Sequence, residues 1–227
     1  FAHRGASAHA PENTLAAFEL ALTQGADGIE LDVKLSADGH VIVIHDATVD
    51  RTTGAHGRVK DLSMAELRAL NAGSFFSSNF STEKIPMLEE VFEAFGKRIF
   101  INIELTNYNT PKFNLQKHVM FSSFYASNLS KAHSYLPEVP CGLLAFGGLL
   151  GAWARSFGFA FGKYAALHPY LNDVTPQQVQ RAHRLKRRVH VWTVNVEEDM
   201  RRLFGWGVDA IFTDDPQLAI RVRGESK

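Results

Sequence analysis

The chain has 227 residues, of which 45% are hydrophobic and 21% charged, ordinary values for a globular protein. Its 24 basic and 24 acidic residues cancel, which argues against nucleic-acid binding and against a polybasic membrane-surface protein. We therefore expect one domain over residues 1–227, with any charge asymmetry confined to a functional site. Oligomeric state is not readable from these quantities.

Three features bear on the compartment of the protein. The single cysteine, Cys141, cannot form an internal disulfide and lies in an apolar run, so we expect a buried thiol and a cytoplasmic location. The apolar stretch Gly142–Gly162 contains Arg155 and several glycines, which argues against stable membrane insertion. The chain opens at Phe1 within an apparent strand, so the natural start is expected to lie upstream.

Short β-like runs alternate with helix-like segments along the whole chain. The β runs are Phe1–Ala2, Gly28–Val33, Val41–His45, Arg98–Leu105, Val119–Phe124, Cys141–Phe146, Tyr164–His168, Val189–Val194 and Ala210–Thr213. The clearest helices are predicted at Asn13–Gln24, Met87–Phe95, Pro176–Lys186 and Pro216–Val222, from apolar spacing and from capping residues. Such alternation predicts a parallel sheet covered by helices.

Nine β runs exceed the eight of a closed barrel, and one junction resolves the count. Lys34–His40 is too short for a parallel crossover, so the runs on either side form an antiparallel hairpin, with Asp38–Gly39 as its expected turn. The prediction is an α/β protein, a (β/α)8 TIM barrel with a hairpin and a small insertion after strand two. The insertion spans residues 46–86 and contains a short helix near Ser63–Leu70.

One connection is too short for the predicted barrel. Barely enough residues for a crossover helix separate Glu104 from Val119, and Pro111 interrupts them. Either the third helix is absent or residues are missing from the chain near Thr110–Phe113, and we favour missing residues.

Ionisable side chains stand at the ends of the predicted strands, where barrel active sites are built. Glu30 and Asp32 are two residues apart on one strand, so they point the same way, and Glu104 ends another strand. Three carboxylates facing one space suit a hard divalent cation such as Mg²⁺, Ca²⁺ or Mn²⁺. The alternative is a set of structural salt bridges to Arg4 or a lysine.

Two histidines and an arginine accompany the carboxylates. His3 and Arg4 follow the first β run, and His45 ends the hairpin. A two-residue turn would place His45 opposite Asp32, and a four-residue turn opposite Glu30, so either register predicts an imidazole on the carboxylate face. Such a histidine can act as an acid or base near neutral pH. The alternative for His45 is an ordinary hairpin hydrogen bond.

These residues resemble the glycerophosphodiester phosphodiesterase family over nearly the whole chain. The motifs are His3-Arg4-Gly5, Pro11-Glu12-Asn13-Thr14, Glu30-Leu31-Asp32, His45-Asp46, Arg51-Thr52-Thr53, Trp192-Thr193-Val194-Asn195 and Thr213-Asp214-Asp215-Pro216. Each is short, but the ordered set is specific. The resemblance implies a (β/α)8 barrel with a small insertion after strand two, as argued above from crossover length.

The resemblance also implies roles and a reaction. One divalent metal ion, Mg²⁺ or Ca²⁺, would be held by Glu30, Asp32 and Glu104. His3 and His45 would be the acid–base pair. The resemblance does not assign base and acid between them, and our hypothesis is that His45 deprotonates the nucleophile and His3 protonates the leaving alcohol. A glycerol hydroxyl would serve as an internal nucleophile and give a cyclic intermediate that water opens.

Two further positions bear on substrate binding under this resemblance. Arg4 would bind the phosphate, and Trp192 would form an aromatic wall of the pocket rather than core. The chain departs from the family where a lysine usually follows the third metal ligand by two residues, since Thr106 stands there. Arg155 or Lys163 is a candidate to replace that charge.

The implied substrate is a small-molecule glycerophosphodiester, cleaved to glycerol 3-phosphate and an alcohol. His168 is left as either a supporting or a structural group. Aromatic clusters indicate local packing or, alternatively, an apolar rim for the acyl chain of a lysophospholipid, and they comprise Phe75, Phe76, Phe80, Phe146, Trp153, Phe157, Phe159 and Phe161. A lysophospholipase D, a non-catalytic glycerophosphodiester-binding barrel and a phosphoinositide-type phospholipase C remain alternatives.

Overall fold

Eight strand positions close into a parallel barrel in the computed structural model, which describes residues 1–105 and 117–225. Ala2 supplies the first position through parallel bridges to Ile29 and Thr213, which join the two ends of the sheet. The regular strands are β1 (Gly28–Leu35), β2 (Val41–Val43), β3 (Phe100–Leu105), β4 (Val119–Ser123), β5 (Cys141–Ala145), β6 (Ala166–Pro169), β7 (Arg188–Val191) and β8 (Ala210–Ile211). β2 pairs antiparallel with β1 outside the barrel, and the predicted (β/α)8 fold with a hairpin is confirmed.

Helices follow most strands and lie where capping residues predict them. They are α1 (Leu15–Thr23), α2 (Asp50–Thr53), α3 (Met64–Ala69), α4 (Leu88–Phe95), α5 (Ala126–Tyr135), α6 (Phe159–Phe161), α7 (Pro176–Arg184), α8 (Glu197–Gly205) and α9 (Pro216–Glu225). The side chains of Thr14, Ser63 and Thr175 accept hydrogen bonds from backbone N–H groups of the first turns of α1, α3 and α7. Such caps each contribute about 1 kcal/mol to helix stability.

The hairpin register differs from both predicted alternatives. Val33 pairs with Val43, and the N–H of Ser36 donates to the carbonyl of His40 at 3.0 Å, so the turn has three residues, 37–39. Gly39 takes a left-handed φ of 85°, the conformation that the last residue of a three-residue hairpin turn commonly adopts. Asp32 therefore lies opposite Ile44, and the inference that His45 faces Asp32 or Glu30 across the hairpin is wrong.

The barrel strands separate apolar from ionisable side chains by their alternation. On β1, Ile29 and Leu31 belong to the main hydrophobic cluster together with Phe18 of α1, whereas Glu30 and Asp32 point to the other face. The helices thus pack on the outer face of the sheet, and the two carboxylates are directed into the barrel.

The hairpin and the segment after it have a second hydrophobic cluster. Its buried members are Ile42, Ile44, Val49, Val59, Met64, Leu67, Ala72 and Ile85. α3 carries a capping box, in which the Ser63 hydroxyl and the Glu66 carboxylate bond to each other's backbone N–H groups. This segment returns to the hairpin at Pro86, whose carbonyl accepts from the N–H of Val43 at 2.8 Å.

Several other expectations concern burial or membrane contact. Cys141 is buried, and burial raises the pKa of its thiol to about 11, as expected for an inert core residue. No helix within the described ranges has the length and apolar character needed to cross a membrane. Thr106 and the expected omission near Thr110–Phe113 lie outside the described residues.

Candidate active site

The three predicted carboxylates meet at the carboxyl ends of two neighbouring strands. In the parallel pairing of β1 with β3, Asp32 lies beside Glu104. One oxygen from each of Glu30, Asp32 and Glu104 lies within 4.8 Å of the other two. Glu30 and Asp32 are buried, so the group is a compact acidic triad below the mouth of the barrel.

Burial and mutual repulsion make the ionised triad costly without a cation. Burial, followed by repulsion from Asp32 and Glu104, raises the pKa of Glu30 well above its usual value. Burial and repulsion from Asp32 also raise the pKa of Glu104 to about 8. A bound divalent cation would reverse this preference for protonation, because metal ligands bind as carboxylates.

Arg4 links the first barrel strand to the triad. Its backbone N–H donates to Glu30 Oε2 at 3.0 Å, its Nε lies 3.3 Å from Asp32 Oδ2, and its guanidinium donates to Glu12 Oε1 at 3.0 Å. Burial opposes the charge of Arg4, but Asp32, Glu30 and Glu12 outweigh burial and raise its pKa. Arg4 is thus a fixed cation beside the carboxylates.

The backbone around Arg4 explains the glycine that follows it. Gly5 has a φ of 85°, and a Cβ added there would lie 2.6 Å from the Cβ of Ala17 in α1. A side chain at this position would therefore displace the helix or the loop that holds Arg4.

Asn13 is a site residue that sequence reasoning quoted in a motif without assigning it a role. It takes a left-handed φ of 57°, and its N–H donates to the Arg4 carbonyl at 2.9 Å. Its side-chain amide donates to Asp32 Oδ2 at 3.0 Å. The turn before α1 thereby orients Asp32.

His3 forms a carboxylate pair with Asp214, which follows β8. His3 Nδ1 lies 2.7 Å from Asp214 Oδ1, and because an ionised carboxylate only accepts, Nδ1 carries the proton. Ser7 and Asn195 also donate to Asp214, at 3.1 and 2.5 Å. Burial pushes the pKa of Asp214 up, but the bond to His3 and the other donors hold it below its usual range.

A cavity of about 410 Å³ adjoins His3 and Arg4, large enough to take a small ligand. Its lining consists of His3, Arg4, Ser7, Ala8, Glu12, Asn195, Asp214 and Asp215. Because Asp214 occupies Nδ1 of His3, Nε2 is the ring nitrogen that is available for proton transfer to a ligand in this cavity.

His45 has an aspartate partner too, but it reaches the triad only through a chain of charges. Its Nδ1 lies 2.6 Å from Asp46 Oδ1, and Arg51 donates to Asp46 at 2.7 Å. Arg51 also donates twice to Glu12, at 2.6 and 2.8 Å, and Glu12 binds Arg4. Among the described residues, no hydrogen bond joins His45 directly to the triad.

Trp192 and His168 lie on neighbouring strand ends. The Trp192 indole N–H donates to the His168 carbonyl at 2.7 Å, and its ring packs edge-on against Phe124. His168 is fully buried and stacks on His190 at 4.9 Å, and burial lowers the pKa of His168 to about 3. His168 is thus a neutral residue of the barrel interior, whereas Trp192 is partly exposed above it.

The fold and the site define a (β/α)8-barrel protein with a buried triad of carboxylates and with aspartate-paired histidines at its mouth. Residues 3–112 and 108–218 match the model of the glycerophosphoryl diester phosphodiesterase family. The chain belongs to that family.

Individual relatives are similar over their whole length. The glycerophosphodiester phosphodiesterase of Caldanaerobacter subterraneus subsp. tengcongensis is 40% identical, with 97% of this chain and 96% of that protein covered. A glycerophosphodiester phosphodiesterase structure from Agrobacterium tumefaciens has a TM-score of 0.86 at 31% identity, with 97% of each chain covered. A phosphodiesterase structure from Oleispira antarctica, in complex with the product sn-glycerol-3-phosphate, has a TM-score of 0.84 at 32% identity, covering 98% and 95% of the two chains.

Proposed function

We propose that this protein is a metal-dependent glycerophosphodiester phosphodiesterase, which hydrolyses a small-molecule glycerophosphodiester to glycerol 3-phosphate and an alcohol. The observation that carries the proposal is the buried triad of Glu30, Asp32 and Glu104 beside Arg4 and the aspartate-paired His3. The full-length relative at 40% identity and the product-bound Oleispira structure support the reaction class.

The triad suits one divalent cation, Mg²⁺ or Ca²⁺. Three carboxylates within 4.8 Å of one another offer hard oxygen ligands, and their burial leaves their repulsion weakly screened. Bound by Glu30, Asp32 and Glu104, such a cation would polarise a phosphoryl oxygen and offset the charge that develops on it.

The remaining groups divide the work on the phosphate. Arg4 binds a phosphate oxygen, with its orientation fixed by Glu12 and Asp32. His45 accepts through Nε2 the proton of the glycerol hydroxyl that attacks the phosphorus, since Asp46 engages Nδ1, and water then opens the cyclic phosphate to glycerol 3-phosphate. His3 protonates the leaving alcohol through its own Nε2. Trp192, partly exposed beside the end of β6, would form an aromatic wall for the substrate.

The acyl-chain alternative receives less support. The relatives favour the glycerophosphodiester assignment, and part of the aromatic clusters serves local packing: Phe76 packs edge-on against Phe80, Phe146 stacks on Phe124, and Phe159 is buried. Trp153 and Phe161 are exposed.

Phosphorus NMR of glycerophosphocholine with the protein and Mg²⁺ or Ca²⁺ tests the proposal. The expected product is glycerol 3-phosphate with free choline. Phosphocholine with glycerol would contradict the bond assignment, and an unchanged substrate would contradict the activity.

Histidine variants test the acid–base roles in the same assay. His3→Ala and His45→Ala should each reduce turnover by at least about a hundredfold, because general acid–base groups contribute on that order. His183→Ala is the matched control, since His183 pairs with Asp209 at the opposite end of the barrel. A His45→Ala protein with full activity would contradict the role given to His45.

A further inference from the structure

Lys34 lies on the same face of β1 as two members of the triad. Residues of a strand alternate between faces, so Glu30, Asp32 and Lys34 project from one side of Gly28–Leu35. Lys34 is two residues closer to the carboxyl end of the strand than Asp32, which places it between the triad and the mouth of the barrel. Its backbone pairs with Ile42 of the hairpin, and its side chain is half-buried.

The charges around Lys34 are those of the site. Burial lowers the pKa of Lys34, while attraction by Asp32, Glu104 and Asp46 opposes that effect. Lys34 in turn favours the ionised form of Glu104. The ammonium group of Lys34 therefore interacts electrostatically with Asp32 of β1 and with Glu104 of β3.

Two arginines near the mouth of the barrel, Arg4 and Arg51, form ion pairs with carboxylates. Arg4 is held by Asp32 and Glu12, and Arg51 is held by Glu12 and Asp46. Lys34 is a further cation on the inward face of β1, and its positive charge would attract the negatively charged phosphate of a phosphodiester.

Arg155 and Lys163, suggested from sequence as replacements for the missing family lysine, engage other groups or lie at another part of the barrel. Arg155 donates to the carbonyls of Phe146 and Gly148 at 2.7 and 2.6 Å and lies 3.3 Å from Asp173. Lys163 precedes β6, so it lies towards the amino-terminal end of the barrel, away from the triad.

We propose that Lys34 is a phosphate-binding residue, which holds the substrate phosphate at the mouth above the cation site. The inference rests on the proposed function, because it assigns Lys34 to the same substrate. It also assigns the hairpin a part in substrate binding, since β2 supports the end of β1 that carries Lys34.

Isothermal titration calorimetry with two separate probes tests this role. For Lys34→Met, the dissociation constant for sn-glycerol 3-phosphate should rise about 10- to 100-fold, since a charge-assisted hydrogen bond is lost. The dissociation constant for Ca²⁺, titrated alone, should stay the same or fall, because a nearby positive charge is removed. Lys34→Arg should keep most of the phosphate affinity.

Lys60→Met is the matched control, because Lys60 is exposed and pairs with Asp61 at 3.1 Å. It should bind both probes as the wild type does. Equal glycerol 3-phosphate binding by Lys34→Met and wild type would overturn the inference, and so would a parallel loss of Ca²⁺ and phosphate affinity, which would indicate a structural role.

Hydrolysis of glycerophosphocholine separates this inference from the function beneath it. If the wild type hydrolyses the substrate and Lys34→Met has an unchanged KM, the inference alone fails. If the wild type neither hydrolyses glycerophosphocholine nor binds glycerol 3-phosphate, the proposed function fails and the inference fails with it. A raised KM for Lys34→Met with a smaller change in kcat supports both.

Discussion

At the scale of single residues, the site is built from carboxylates that each engage a particular cation or histidine. Asp214 accepts hydrogen bonds from His3, Ser7 and Asn195, so its orientation is fixed from three sides. A carboxylate on Nδ1 holds an imidazole in one tautomer and one orientation, which leaves Nε2 directed away from it.

Asp214→Asn should lower kcat at least about tenfold with little change in KM, because Asp214 orients His3 rather than substrate. Steady-state kinetics on glycerophosphocholine measure this split. Asp209→Asn is the control, since Asp209 pairs with His183 at 2.9 Å at the other end of the barrel. Equal losses in the two variants would point to general destabilisation.

The sequence predicts the residues of the triad better than their neighbours. Glu30, Asp32 and Glu104 can be placed because strand alternation and strand ends follow from local pattern. Asn13 and Glu12 cannot, because their contacts depend on a left-handed backbone and on loops that meet only in three dimensions. Asp214 lies 211 positions from His3, and no periodicity signals such a pair.

At the scale of elements, Glu12 and Arg51 fasten the segment after the hairpin to the barrel. Arg51 donates to Glu12 in the turn before α1 and to Asp46 after β2. Although burial pushes the pKa of Glu12 up, its bonds to Arg51 and Arg4 hold that pKa below its usual value. A carboxyl with a lowered pKa stabilises the folded state above its ordinary pKa, and this contribution is lost as the pH falls.

Glu12→Gln should therefore lower the free energy of unfolding at pH 7 by about 1–3 kcal/mol, as expected for a hydrogen bond to a charged partner. Because the ordinary pKa of glutamate is 4.5, the difference from wild type should be complete above that pH and shrink below it. Urea unfolding from pH 7 to pH 3 measures the effect. Glu19→Gln, which removes an exposed pair with Arg98, should change stability little, and a pH-independent deficit in Glu12→Gln would contradict the argument.

The hairpin turn shows what sequence pattern leaves undetermined. Asp38 and Gly39 correctly mark the turn, but the pattern does not fix its length, and neither of the two lengths considered, two or four residues, is the observed one. The left-handed φ of Gly39 sets the length at three and shifts the register by one residue. This single shift is the reason that His45 does not face Asp32 across the hairpin.

A pair of glycine variants tests this account of the turn. Gly39→Ala should cost about 1 kcal/mol, because its φ of 85° strains any side chain although the described structure has no atom within 4 Å of the added Cβ. Gly205→Ala, at the end of α8 with similar open space and no positive φ, should stabilise by up to about 1 kcal/mol. Effects of the same sign in urea unfolding would argue against strain at Gly39.

At the scale of the whole molecule, barrel closure assembles the site. The bridges of Ala2 to Ile29 and Thr213 place the first strand between β1 and β8, so His3 meets both the triad side and Asp214. The hydrogen bond from the N–H of His3 to the Thr213 carbonyl, 2.8 Å long, is part of this closure. Counting strands predicts a closed eight-stranded barrel, and the bridges of Ala2 confirm it.

The measurement that tests the account most directly is release of glycerol 3-phosphate from glycerophosphocholine by chelator-treated protein, before and after addition of Mg²⁺ or Ca²⁺. The account predicts no release from the stripped wild type, recovery with one or both ions, and little recovery in Glu104→Gln, which lacks one carboxylate of the triad. Full release from stripped protein, or equal recovery in Glu104→Gln, would contradict a catalytic cation at this triad.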